Sequence, residues 1–476
     1  MGYSERLDSY REDMIRTLGE SVSCQSVNSD AVRTADGEIY PFGKGVQDAL
    51  EHMLKTGREL GFETHNDDNY AGHIEYRSAE GSEGYFCIAG HLDVVPVGTG
   101  WTNDPFTMTE KDGFLYGRGT SDDKGPVVAV LYALKALKEE GIVPHKDIRI
   151  VLGLDEETGS VSIEHYLENF GKPSAGFTPD ADFPVVNGEM GILVFDFAQK
   201  FTSKPAKDEL RLTKLEGGTA PNAVPASARA VISGNKEQYG LITDRARLYS
   251  EETGHIIRTR KQGSALVVET EGAAAHGAHP ELGLNAVSIL MEFLGRIGFA
   301  GEELNDFIAF YNDHIGFDLH GERMGCFFED EPSGPLIFNV GMANINEELA
   351  TVTVNIRYPV SCTDDQVMGA IEETLGSGRV GVVGRMVHEP VYVEPDDPVV
   401  VTMMEAYRNA TGDFESKPFT TGGGTYAKAV GNIIAFGALF PYEESTMHKA
   451  DERLSIESFM KMAHIYADVI FGICCA

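Results

Sequence analysis

From Glu83 to Val186 short apolar runs alternate with stretches of helical periodicity, and acids or a histidine follow the apolar runs closely. Residues 85–89 read as a strand, 126–140 as a helix, 147–154 as a strand and 162–170 as a helix. That alternation predicts a mostly parallel sheet flanked by helices, an α/β layer. In such sheets functional side chains gather beyond the carboxyl ends of the strands. His91-Leu92-Asp93, Asp122-Asp123-Lys124-Gly125, Asp155-Glu156-Glu157 and Thr178-Pro179-Asp180 all fall at or near such ends, which makes them one constellation.

With His448 far downstream, these segments offer the ligands and the base of a carboxylate-rich dinuclear metal site, and so point to a metallohydrolase. In His91-Leu92-Asp93 the period-two alternation of a strand puts both polar side chains on one side. One can ligate while the other takes the spare ring N–H, as metal-bound histidines usually arrange. The plainer alternative is a strand-end pair making ordinary hydrogen bonds. Asp122 and Asp123 stand before a helix, where an N-capping role accounts for one aspartate and leaves the other free to bridge two ions. Three consecutive acids at 155–157 repel one another unless cations offset them, although an acidic surface run is the alternative.

A chain of 476 residues, 42% hydrophobic, exceeds one ordinary core and predicts two compact units. Between about 191 and 391 the texture becomes β-rich (192–197, 228–232, 265–270, 351–356) with a helix at 285–298, a second α+β domain inserted into the first. The helix-like stretch 398–410 and the apolar runs 431–438 and 456–471 return the chain to the first layer, because His448 has to rejoin the other ligands. The expected organisation is therefore 1–190 and 392–476 as one domain and 191–391 as the insertion.

A formal charge of −35 repels phosphate backbones and anionic membranes, which excludes a nucleic-acid or membrane-surface partner. No run approaches the roughly eighteen apolar residues of a membrane span. The amino terminus lacks a signal core, and six scattered cysteines lack metal or disulfide spacing, so a reduced, cytoplasmic protein is expected. Gly376-Ser377-Gly378-Arg379-Val380-Gly381 matches GxGxxG but follows a helical stretch and precedes a strand, the reverse of a dinucleotide fingerprint.

The segments GHLDVVPVGTGW (90–101), YGRGTSDDKGP (116–126), GLDEETGS (153–160), GFTPDADFPVVNGE (176–189), APNAVPASARA (220–230), AAAHGAHPELGLNA (273–286), NIRYP (355–359), GGGTYAK (422–428) and MHKADE (447–452) span the chain. In that order they resemble the dinuclear-zinc metallopeptidases that include aminoacylases, glutamate carboxypeptidases and PepV-type dipeptidases. The resemblance implies that His91 and Asp180 hold one metal, Glu157 and His448 the other, and that Asp122 bridges them next to a cis peptide. It implies Glu156 as the general base acting on a metal-bridging water and Asp93 as the carboxylate behind the ligands. It makes the inserted domain a lid, with His276 stabilising the transition state, Asn222 and Arg357 holding substrate, and Gly423, Gly424 and Thr425 lining the site.

Two divalent ions are implied, zinc first, with manganese or cobalt compatible with so many oxygen ligands. Chain length and an enlarged lid that mimics a dimer partner resemble the dipeptidase branch. The expectation is a monomeric dipeptidase acting on small unblocked peptides, with an N-acyl-amino-acid deacylase as the alternative. His279 stands where the lid motif often has a small residue.

Overall fold

The computed structural model describes residues 2–79, 81 and 83–476. Among the described residues the two largest hydrophobic cores share no residue and each belongs to one of two compact units, with a smaller third cluster in the first unit. One unit comprises residues 1–188, 391–420 and 424–476, and the other residues 189–390 and 421–423.

The first unit is built on a nine-stranded sheet. Its centre is parallel: Ile434–Ala435, Ala175–Thr178, Tyr85–His91 and Asp147–Gly153 lie side by side in one direction. Tyr85–His91 is buried along its whole length, as a strand covered on both faces has to be. Lys124–Glu139 is apolar nearly all round and packs against Ile456–Cys474, so both helices bury most of their surface. The apolar run at 431–438 supplies the short strand Ile434–Ala435, which joins the parallel centre.

A hairpin that the sequence pattern hides extends the sheet. Glu63–Asp67 and Ala71–Tyr76 pair antiparallel, and the second strand pairs antiparallel with Asp147–Gly153. Ala71–Tyr76 is buried throughout yet carries His73 and Glu75, which interrupt any apolar signature. Both polar groups have partners. Tyr166 Oη lies 2.9 Å from His73 Nδ1, and Glu75 accepts from Arg149 at 2.7 Å and Arg77 at 2.8 Å.

The second unit holds an eight-stranded antiparallel sheet in the order Ile256–Gln262, Ala265–Glu271, Ser227–Ser233, Arg211–Gly217, Ile337–Asn346, Leu349–Tyr358, Gly191–Lys200 and Gly381–His388. Alternate residues such as Leu193, Phe195 and Phe197 face a core completed by Lys236–Thr253, Ala286–Gly295, Glu302–His314 and Asp364–Leu375. Asn285 caps Ala286–Gly295 by accepting from Val287 and Ser288, and the helix ends before 298.

Burial, with the charge of Arg149 added, lowers the His73 pKa from 6.5 to about 4. Below 6.5 the unfolded chain binds a proton that the folded chain refuses, so stability is lost as pH falls from 6.5 toward 4. At about 1.4 kcal/mol per pH unit the loss is on the order of 2 kcal/mol by pH 5. Denaturant unfolding of chelated protein at pH 7 and pH 5 measures it. The His73→Phe, Tyr166→Phe double variant should lose about 2 kcal/mol less than wild type across that interval; equal losses would remove His73 from the account.

Candidate metal centre

Three neighbouring parallel strands deliver most of the site. His91 ends Tyr85–His91, Asp155-Glu156-Glu157 follow Asp147–Gly153, and Asp180 lies just beyond Ala175–Thr178. Shared strand direction places all three segments on one sheet edge. Asp122 and Asp123 come in from the loop that starts Lys124–Glu139, across a cis Asp122–Asp123 peptide. His448 arrives from the loop before Arg453–Ser455.

Asp122 is the centre of this arrangement. Its Oδ1 lies 3.0 Å from His91 Nε2, and its Oδ2 lies 3.0 Å from His448 Nε2. Asp180 Oδ2 is 3.7 Å from His91 Nε2, and Glu157 Oε1 is 3.1 Å from His448 Nε2. Two ligand groups result, His91–Asp122–Asp180 and Asp122–Glu157–His448, each with its donor atoms within 4.8 Å of one another. One carboxylate thus offers one oxygen to each group.

Backbone amides hold the acids. The Asp93 carboxylate accepts from the amides of Glu156 and Glu157, both at 3.2 Å, and so fixes that turn. His91 Nδ1 lies 3.0 Å from the Asp93 carbonyl oxygen and 3.4 Å from its carboxylate, so the carbonyl is the nearer acceptor for the spare ring N–H. Asp123 occupies the N-cap position without capping; its Oδ2 accepts from the His91 amide at 3.1 Å, and Oδ1 is buried with no partner among the described residues. Asp155 turns away from the cluster to accept from the amides of Val161 and Ser162, at 2.9 and 3.0 Å, at the start of Val161–Phe170. Tyr426 Oη is 3.0 Å from Ser162 Oγ, and a Cβ on Gly153 would overlap the Tyr426 ring.

The electrostatics follow from this crowding. Burial, then the charges of Asp180, Glu157 and Asp122, push Glu156 well above the usual carboxylate range. Burial and Asp180 do the same to Asp123. Burial disfavours a charged His91 ring, but hydrogen bonds to Asp122 and Asp93 outweigh it and raise the pKa well above 6.5. Hydrogen bonds to Asp122 and Glu157 bring His448 up to about 10. The carboxylates thus favour positive charge at both imidazoles, and metal binding at such ligands displaces ring protons.

Glu452 and Arg118 went unnoticed in the sequence. Glu452 is fully buried, bonds to Arg118 at 2.7 Å, and accepts from the amides of Gly119, Ser121 and Asp122. The only signal was its place in the same segment as His448. A cavity of about 360 Å³ opens beside Asp180 and Ser121, lined among others by Phe114, Leu439, Tyr442 and Glu443.

In the second unit, Asn222 and His276 are exposed neighbours: Gly277 donates to the Asn222 carbonyl at 2.7 Å, and Ala223 bridges His276. Gly422 packs on Ala278 and Ile337, and Ile337 stands opposite Arg357 in the sheet. Arg357 is buried, and its Nε has no partner among the described residues. Burial lowers its guanidinium to about 10 against the opposing charge of Glu189. Gly423 donates to Thr421 Oγ1 at 3.1 Å and belongs to the second unit, whereas Gly424 and Thr425 belong to the first. Thr425 caps Tyr426–Val430 by accepting from Ala427. His279 is exposed and pairs with Glu281 at 3.4 Å.

Residues 87–471 match peptidase family M20/M25/M40, and the chain belongs to that family. A Staphylococcus epidermidis protein that bears the name "putative dipeptidase" is 34% identical over 475 residues, 99% of each chain. A Bacillus subtilis protein with the same designation is 34% identical over 469 residues, 97% of each. Human carnosine dipeptidase 1 shares the fold with a TM-score of 0.57 at 16% identity, covering 99% of this chain and 98% of its own. Dug1p, a dipeptidase from Saccharomyces cerevisiae, does so with a TM-score of 0.56 at 12% identity, over 99% of this chain and 97% of its own.

Zinc or manganese added to chelator-treated protein should raise its thermal midpoint, since ligand at a hundred times Kd is worth about 2.7 kcal/mol. Asp122→Asn should abolish most of that rise. An undiminished rise in the variant would place the ions elsewhere.

Proposed function

We propose that this peptidase is a dipeptidase with two divalent ions, and the observation that carries the reading is the division of the Asp122 oxygens between two ligand groups. The donor set fits such ions. Five carboxylates, Asp122, Asp123, Glu156, Glu157 and Asp180, crowd around two imidazoles, and one buried oxygen of Asp123 lacks a partner. Buried negative charge of this density calls for cations. His91 and Asp180 would hold one ion, Glu157 and His448 the other, and Asp122 both. Two nitrogens among oxygens suit zinc, and also manganese or cobalt. When bound, the ions supply Lewis-acid polarisation of the scissile carbonyl and acidify the attacking water.

The protein's own groups do the rest. Glu156 would take the water's proton and return it to the leaving amine, a task suited to a carboxyl that stands among Asp180, Glu157 and Asp122. Asp93 holds the Glu156 amide so that the base keeps its place. On the second unit His276 would stabilise the developing oxyanion, and the Arg357 fork, with Asn222 beside His276, would hold the substrate carboxylate. Gly423, Gly424 and Thr425 would line the substrate path. The second unit would serve as the lid that the resemblance implies. The cavity beside Asp180 would take the side chain of the amino-terminal residue.

Full-length relatives designated dipeptidases support a small unblocked peptide as substrate in preference to an acylated amino acid. Six unpaired cysteines fit a reducing, cytoplasmic location, and the monomeric state rests on resemblance alone. No helix among the described residues is long and apolar enough to cross a membrane.

Chelated protein restored with zinc or manganese should hydrolyse Ala-Ala and leave N-acetyl-alanine intact. Cleavage of N-acetyl-alanine alone would assign a deacylase. Glu156→Gln should lower kcat by roughly 10²- to 10⁴-fold while the protein still takes up two ions per chain; undiminished kcat would exclude Glu156 as the base.

A further inference from the structure

We propose that Glu452 is a positioning residue that ties the His448 loop to the Asp122 loop and thereby makes the second ion group, Asp122–Glu157–His448, able to hold its ion. The inference rests on the two-ion reading above.

Glu452 lies four residues beyond His448 and is fully buried. Its Oε1 accepts from Ser121 N at 2.9 Å, Ser121 Oγ at 3.0 Å and Asp122 N at 3.3 Å. Gly119 N reaches both oxygens at 3.1 Å, and Arg118 Nη1 reaches Oε2 at 2.7 Å. One ion pair would have sufficed to neutralise Arg118. The additional donors all come from residues 119–122, the turn that presents Asp122. The Glu452 carbonyl in turn accepts from Gly117 N at 3.0 Å, and Arg453 pairs with Tyr116. Asp451 accepts from Thr102 through both carboxylate oxygens. The carboxyl side of the His448 loop is thus pinned along the 116–122 segment, and Glu452 is the side chain that reaches the Asp122 amide.

The two ion groups differ in how much they need this tie. His91 sits at a strand end with its amide on Asp123 and its Nδ1 on the Asp93 carbonyl, and Asp180 follows a buried strand. His448 is 56% exposed and rides on a loop in which it and Asp451 both have positive φ, 61° and 56°. Asp122 belongs to both groups, but the His91 group keeps two ligands held by strand ends, so loosening the 448–452 segment should weaken the His448 group far more than the His91 group.

Zinc titration calorimetry and metal content on chelated wild type, Glu452→Gln and Ser121→Ala test this, with kcat, KM and apo-protein thermal midpoints beside them. Wild type should bind two ions. Glu452→Gln should keep one near wild-type affinity and bind the other roughly 10- to 100-fold more weakly, the usual effect of removing a group that orients ligands. Its kcat should fall more than KM rises. Ser121→Ala, which deletes one hydroxyl donor, should shift the same ion by less and covers the case in which Glu452→Gln fails to fold. A lower thermal midpoint with both affinities unchanged, or equal weakening of both ions, overturns the inference while the two-ion reading stands. Wild-type protein that takes up only one ion overturns both.

Discussion

Negative charge buried around Asp122 is the constraint on which the first unit's architecture depends. Asp122, Asp123, Glu156, Glu157 and Asp180 converge where water is largely excluded; burial and mutual repulsion raise the pKa of Glu156 and Asp123, while hydrogen bonds to carboxylates outweigh burial and raise those of His91 and His448. Such a cluster is costly to build and stable only if its members are held by other means.

The means is the backbone. Parallel strands bring His91, Glu156, Glu157 and Asp180 to one edge, but strand ends alone leave the turns slack. Asp93, Asp155 and Glu452 then spend their carboxylates on amides: Asp93 on the 156–157 turn, Asp155 on the start of Val161–Phe170, and Glu452 on the 119–122 turn. Three acids that face no candidate ion thus set the positions of the acids and imidazoles that do. This division of labour explains why the region holds more carboxylates than the two ligand groups contain.

How much of this was legible in the sequence depended on whether a residue's partner was a side chain or a peptide group. The parallel centre and the helices at 124–139 and 398–411 were legible because their patterns are local, whereas 456–474 was read only as an apolar run. The strand-end positions of His91, Glu157 and Asp180 were legible because they closely follow apolar runs, whereas the places of Asp122 and His448 beside them were implied by the resemblance alone. The hairpin at 63–76 was not, since His73 and Glu75 break the apolar pattern of a buried strand and find their partners, Tyr166 and Arg149, on distant elements. A capping role was open to one of Asp122 and Asp123; Asp123 stands at the N-cap but accepts from His91, because the loop turns its carboxylate toward the neighbouring strand end. Asp155 was counted with the metal-facing acids and instead serves a helix start. Glu452 gave no signal of its own, since its partners are amides and an arginine more than three hundred positions away.

The central claim is that Asp122 joins two ions into one site. An anomalous difference map from crystals of zinc-loaded protein tests it most directly. Two peaks about 3.5–4 Å apart, one beside His91 and Asp180, the other beside Glu157 and His448, with Asp122 between them, is the predicted result. A single peak, or two peaks of which one does not touch Asp122, would contradict it.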